Sequence, residues 1–257
     1  QNFLRKTRRN PLPMQLKKLE NGSIQASFRP HLKPMSWTRF KILKPQTEIN
    51  FDKSNITDTV KLKENEENYI LENSTYQVKI SKNGKIKSIY QKKLEKEILS
   101  QPLAYEFQEE KPKLFPAWNM DWRDRKEEPF LRLESGGKVS IIENGPLRST
   151  LQIQIKYNES TFIKEISLSS GSEIVEFTER IYWKEQACSL KLALNTNLNH
   201  PKTTYNWETS RIERGVNSEK LFEMPSRYWA DISENDWGIS IIEDSKYGYD
   251  HPKENTL

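Results

Sequence analysis

Two short stretches hold the side chains best suited to chemistry. The first, Phe115-Pro116-Ala117-Trp118-Asn119-Met120-Asp121-Trp122, sets two indole rings beside an amide and a carboxylate. A Trp ring offers a flat apolar face on which sugar C–H groups can rest, while neighbouring amides and acids accept protons from the hydroxyls. Trp118, Asn119, Asp121 and Trp122 equally suit a structural role, with the rings plugging a β-sandwich or its contact with another domain, and that is the expectation. The second stretch, Asp244-Ser245-Lys246-Tyr247-Gly248-Tyr249-Asp250, follows an apolar run from Trp237 to Ile242 and is expected to form a strand end and tight turn. Gly248 would supply a positive φ or a close approach that a side chain would block. Asp244, Lys246, Tyr247, Tyr249 and Asp250 would then face an interface, with substrate contact the other role open to them. Arg211, Arg214, Arg227 and Trp229 suit pairing across domains in the same way.

Cleavage of a glycosidic bond with retention uses two carboxyl groups about 5 Å apart, one as nucleophile and one as acid/base. Asp121, Asp124, Asp231, Asp236, Asp244 and Asp250 are candidates, but with 36 acidic residues in the chain no pair is singled out and no catalytic role is assigned. His31, His200 and His251 are far apart, none is paired at i, i+2 or i, i+4, and Cys188 is alone. No metal site is therefore expected, and each histidine is read as a surface or turn residue. Neither a Gly-rich phosphate loop nor a nucleophile elbow is present. A hydrolase acting through this chain alone is not expected.

Lysine and arginine exceed the acids by 41 to 36, a formal charge of +5, and the two signs are interleaved along most of the 257 residues. That pattern describes a solvated surface rather than a nucleic-acid footprint. The one concentrated basic patch, Arg5-Lys6-Thr7-Arg8-Arg9, lies at the chain's start and reads as a linker or frayed segment. Nothing approaches the ~20 apolar residues that span a bilayer, so no membrane contact is expected. A single cysteine excludes an intrachain disulfide and favours a cytoplasmic location.

Period-two alternation positions these stretches on strands. Tyr76, Val78 and Ile80 alternate, Asn83-Gly84 would supply two positive-φ residues for a hairpin, and Ile86 and Ile89 return. A second hairpin runs from Val139–Ile142 through Asn144-Gly145 to Leu151, Ile153, Ile155 and Tyr157. Phe162 to Leu168 alternates, a Ser/Gly turn follows, and Val175, Phe177, Ile181 and Trp183 share one face of the next strand. Leu190, Leu192 and Leu194 mark another. Many strands with short turns and few helical periods predict an all-β chain built as a large antiparallel sandwich.

The ending, Met224-Pro225-Ser226-Arg227-Tyr228-Trp229-Ala230-Asp231-Ile232-Ser233 and then Asp244 to Asp250, resembles the C-terminal β-domain of the family 38 glycoside hydrolases, the retaining α-mannosidases. Ile70 to Ile80, Asn83 to Ile86 and Ser88 to Lys93 are similar to the opening strands of the same domain, and Ala117 to Asp121 to its Ala-Trp-Asp-Ile-Asp stretch, with Asn119 in place of the first acid. The resemblance implies a galactose-mutarotase-like supersandwich over residues 69–257, cut short at its C-terminus. It also implies the remnant of a smaller β-domain over residues 1–44, and the polar composition of 45–68 reads as a linker. Retaining hydrolysis of terminal α-linked mannose is implied for the complete enzyme, with its nucleophile and its zinc in an N-terminal catalytic domain outside this chain. This region would buttress that domain, line its cleft, and have the α-mannoside or oligosaccharide substrate as a partner; oligomers are compatible with it. The alternative is a free-standing carbohydrate-binding module of the same fold.

Overall fold

A computed structural model describes residues 12, 14–19, 21–30, 32–40 and 58–257. His31 and the basic patch from Arg5 to Arg9 lie outside the described residues. Strands β1 (Met14–Lys18) and β2 (Ile24–Phe28) form a hairpin whose turn has Gly22 at a φ of 81°. Its side chains are largely exposed, and Gln15, with Arg29 just after β2 donating to the Ser170 hydroxyl at 3.2 Å, ties it to the rest. The Gln15 carboxamide accepts from the Leu147 and Arg148 amides at 2.9 and 3.0 Å and donates to the Arg148 carbonyl at 2.7 Å.

A five-stranded sheet follows, from β3 (Lys61–Glu64) through β4 (Asn68–Glu72), β5 (Tyr76–Ser81) and β6 (Ile86–Gln91) to β7 (Lys96–Glu97). The first of these falls within the stretch read as a linker. Its Lys-Leu-Lys-Glu composition is that of an edge strand, where charged side chains guard unpaired backbone groups. The hairpin between β5 and β6 differs from expectation in one detail. Gly84 alone takes a positive φ, 85°, and its amide donates to the Ser81 carbonyl at 2.9 Å, while the pairing shifts register between Lys79 and Ile80. One left-handed residue beside a bulge suffices for this longer loop, so Asn83 keeps an ordinary backbone. A Cβ at Gly84 would lie 2.6 Å from the Ile153 side chain, so the turn packs directly onto the next sheet.

Strand β8 (Ala104–Glu109) leads to the four-residue helix α1 (Trp122–Arg125) and to β9 (Leu131–Leu133). Then come four long meandering strands, β10 (Lys138–Asn144), β11 (Arg148–Tyr157), β12 (Ser160–Ser169) and β13 (Glu176–Tyr182). Strand β14 (Cys188–Ala193) pairs with β8. The remaining sheet joins β15 (Lys202–Trp207) to β16 (Ser210–Arg214) and to the later β18 and β19, while short β17 (Met224–Pro225) awaits its partner at the end of the chain. Strand β18 spans Trp229–Ser233, β19 spans Gly238–Ile242, and β20 (Gly248–Tyr249) pairs with β17. The architecture is the all-β antiparallel sandwich that the alternation predicts.

One core joins the sheets. Leu71, Val78, Ile80, Ile86 and Ile89 meet Leu151, Ile153, Ile155, Phe162, Ile166 and Leu168. Phe107 on β8 is fully buried and contacts Tyr157, Trp183 and Phe162 with ring centroids 4.9, 5.4 and 6.0 Å away. Truncating such an aromatic anchor removes burial and leaves a cavity that stiff strands cannot close. No described helix is long and apolar enough to cross a membrane.

Candidate functional site

One residue from each of the two chemically loaded stretches, more than one hundred residues apart in sequence, lies at a charged cluster around Lys191 on β14. Lys191 on β14 projects its ammonium between two carboxylates, at 3.0 Å from Glu223 Oε1 and in direct contact with Asp250 Oδ2. Glu223 also takes Arg125 Nε from the end of α1 at 3.0 Å. The Arg125 guanidinium has a side-chain exposure of 1% and donates as well to the Gln108 carboxamide. Gln108 in turn donates to the carbonyls of Arg125 and Glu127 at 2.8 and 2.6 Å, which fixes the chain leaving the helix. Two cations and two anions thus neutralise one another in a partly buried cluster, with Arg125 and Asp250 the least exposed at 1% and 9%. Burial nevertheless pushes the Glu223 carboxyl above its ordinary value, with Lys191 and Arg125 pulling it back.

Of the candidates read from sequence, Trp122 and Asp250 reach this cluster. Trp122 packs on Phe222, next to Glu223, with ring centroids 5.4 Å apart. Asp121 caps the start of α1: its carbonyl accepts from the Asp124 amide at 3.0 Å, and its carboxylate accepts from the Lys113 amide at 3.0 Å. Asp124 is held below the usual carboxylate range by Arg123 and by the Lys111 amide. Tyr249 lies beside Tyr205, ring centroids 6.1 Å apart, and burial raises both phenols, Tyr205 to about 12. Asp244, Lys246 and Tyr247 are exposed and outside the cluster, as is Asn119.

Of the two structural roles expected for Trp118, its 87% exposure excludes the plug within the sandwich and is compatible with contact with another domain. The reason is local: Phe115 takes a positive φ of 54°, and its carbonyl turns the segment outward by accepting from the Trp118 and Asn119 amides. Trp118→Ala is accordingly expected to change the unfolding free energy of the chain by no more than ~0.5 kcal/mol; a loss above ~2 kcal/mol in urea titration would return the ring to the core. Gly248 has no positive φ, and a Cβ there would meet only Glu223 Oε2 at 4.0 Å. The preceding turn is made by the Glu243 carboxylate, which accepts from the Ser245 amide at 2.9 Å and from the Lys246 amide. His251 is buried rather than superficial, its ring between the Thr203 hydroxyl at 3.1 Å and the Glu254 carbonyl at 2.9 Å. Leu192, expected inside with Leu190 and Leu194, is 43% exposed.

Arg125, Lys191 and Glu223 carried no signal in the sequence, because each is an ordinary charged residue on a different element. His200 pairs with Glu254 at 3.0 Å, and both His251 nitrogens are engaged, so these residues do not fit a zinc centre. Among the described residues no group of His, Cys, Asp and Glu is arranged to hold a metal ion. Four of the six candidate carboxylates have partners of their own: Asp121 the Lys113 amide, Asp124 Arg123, Asp231 the Ser240 hydroxyl and Asp250 Lys191. The cluster is a strut joining α1, β14 and the chain's last turns.

The family model described as the glycosyl hydrolases family 38 C-terminal domain matches residues 71–257. Alpha-mannosidase G of Dictyostelium discoideum is 27% identical over 194 residues, 70% of this chain and 18% of that protein. Alpha-mannosidase 2C1 of Mus musculus is 26% identical over 145 residues, 53% of this chain and 14% of that protein. The crystal structure of an alpha-mannosidase from Enterococcus faecalis V583 shares the fold with a TM-score of 0.60 at 15% identity, over 73% of this chain and 24% of that one. The chain therefore spans less than a fifth of the length of these two sequence relatives.

Proposed function

Because the chain belongs to the glycosyl hydrolases family 38 C-terminal domain family, we propose that it is the C-terminal β-region of an α-mannosidase and serves to buttress the catalytic domain. The complete enzyme hydrolyses terminal α-linked mannose with retention, using carboxylates and a zinc ion held in that other domain. Family membership across residues 71–257 carries the proposal. One feature of the surface supports it. Leu114, Phe115 and Trp118, at 65, 66 and 87% exposure, form an apolar shoulder beside α1 that suits contact with another domain.

The test is hydrolysis of an aryl α-mannoside by the complete gene product, with and without a chelator, beside the 257-residue chain alone. Chelator-sensitive turnover by the complete product and none by the chain is the expected result. Metal-dependent turnover by the chain itself would overturn the buttress role, and an inactive but folded complete product would overturn the mannosidase assignment.

A further inference from the structure

The outer face of the β16-β15-β18-β19 sheet carries a feature that the buttress role does not use. Alternate residues of these strands, Tyr205, Ile212, Ala230 and Ile232, point into the core, so their neighbours must point out. The register sets Thr204 opposite both Glu213 and Asp231, and Lys202 opposite Ser233. The loops around Asn199 and Asn235 rise beside this face and leave a groove of about 570 Å³. Its lining includes Lys202, Thr204, Arg211, Glu213, Trp229 and Asp231.

Three properties define what fits. The volume lies in the ~300–1,000 Å³ range of small-molecule sites. Lys202 and Arg211 are outnumbered by Glu213, Asp231 and Glu234, so the groove lacks the positive excess that a phosphate or nucleic acid requires. Trp229 is half-buried, presenting part of an aromatic face among polar groups. Lys202, Arg211 and Glu213 are exposed and take no side-chain partner among the described residues, whereas Asp231 is oriented by the Ser240 hydroxyl at 2.6 Å. An aromatic face ringed by donors and acceptors of alternating sign matches a pyranose, whose C–H face is apolar and whose rim is hydroxyl.

We infer that this groove is a binding site for a neutral mono- or disaccharide, distinct from the apolar shoulder at Trp118. Trp229 would stack on the ring, and Arg211, Glu213 and Asp231 would take its hydroxyls. The site adds a glycan-holding role to the region and does not depend on the complete protein being a mannosidase.

Saturation-transfer NMR and calorimetry of the 257-residue chain with methyl α-mannopyranoside and with an S-linked mannobiose provide the test. Saturable binding in the millimolar range is expected, weakened about tenfold or more by Trp229→Ala and by the double change Arg211→Ala with Glu213→Ala, and unchanged by Trp118→Ala. The double variant alters only exposed, unpartnered side chains, so its melting curve should match the parent and the test survives even if Trp229→Ala unfolds. No saturable binding, binding that the double variant leaves intact, or tighter binding of inorganic phosphate than of either sugar would overturn the inference. Because the S-linked probe is not hydrolysed, the outcome is independent of mannosidase activity in the complete product.

Discussion

Glu179→Ala should destabilise the chain by about 3–5 kcal/mol, because it strands a lysine inside the sandwich. The Lys164 side chain is 6% exposed, with its ammonium 3.2 Å from Glu179 Oε1 and 4.2 Å above the centre of the Tyr105 ring. The Tyr105 hydroxyl donates to the other Glu179 oxygen at 2.6 Å, so one carboxylate satisfies both neighbours. Without it the ammonium has only the Tyr105 ring face, and at about 2–4 °C per kcal/mol for a chain of this size the melting point should fall by roughly 10 °C. Replacing both partners, Lys164→Met with Glu179→Gln, should cost far less, because no charge is left buried and the Gln carboxamide still accepts from the Tyr105 hydroxyl. Urea titration of both variants decides the matter. Equal losses in the two would mean that the lysine reaches water and that the pair is a surface contact.

The same lysine has a pH signature. Burial pulls the Lys164 ammonium below its ordinary value of 10.5, with Glu179 opposing. Between the folded value and 10.5 the unfolded chain binds more protons, so the contribution of this group to stability rises with pH across that window. The difference between the parent and Lys164→Met, measured from neutral pH upward, isolates it from the tyrosines.

Arg125→Ala should cost about 3–5 kcal/mol for a related reason, with a pH dependence of opposite sense. The ionic strut falls from balanced charge to a net negative one, leaving Lys191 to serve Glu223 and Asp250 together. Burial already raises the Glu223 carboxyl above 4.5, and Arg125 is one of the groups holding it down, so its removal raises that carboxyl further. For an acid whose folded value is raised, stability is fully present below the unfolded value and is lost as pH rises through the folded one. The deficit of Arg125→Ala should therefore be smaller at pH 5 than at pH 8, and adding Glu223→Gln should flatten that difference. A deficit that does not vary with pH would show that Arg125 acts through packing on Gln108 instead.

The sequence by itself determined the strands, the main hairpins and the family, because each rests on local pattern. Period-two alternation in Tyr76–Ile80 and Leu151–Tyr157, bounded by Asn-Gly turns, leaves little freedom over which face is buried. It also held a sign of the buried ion pair: Lys164 shares its parity with Phe162, Ile166 and Leu168, and Glu179 shares its parity with Phe177 and Ile181. That these two inward charges stand directly opposite one another was decided by the β12–β13 register. The strut was decided wholly by tertiary structure, since Arg125 on α1, Lys191 on β14 and Glu223 and Asp250 in the loops beside β17 and β20 are related by no spacing. The groove arose likewise, from the order in which β16, β15, β18 and β19 lie side by side. Alternation fixes which side chains leave the sheet, whereas strand order and register, set by packing of the whole core, fix which of them become neighbours.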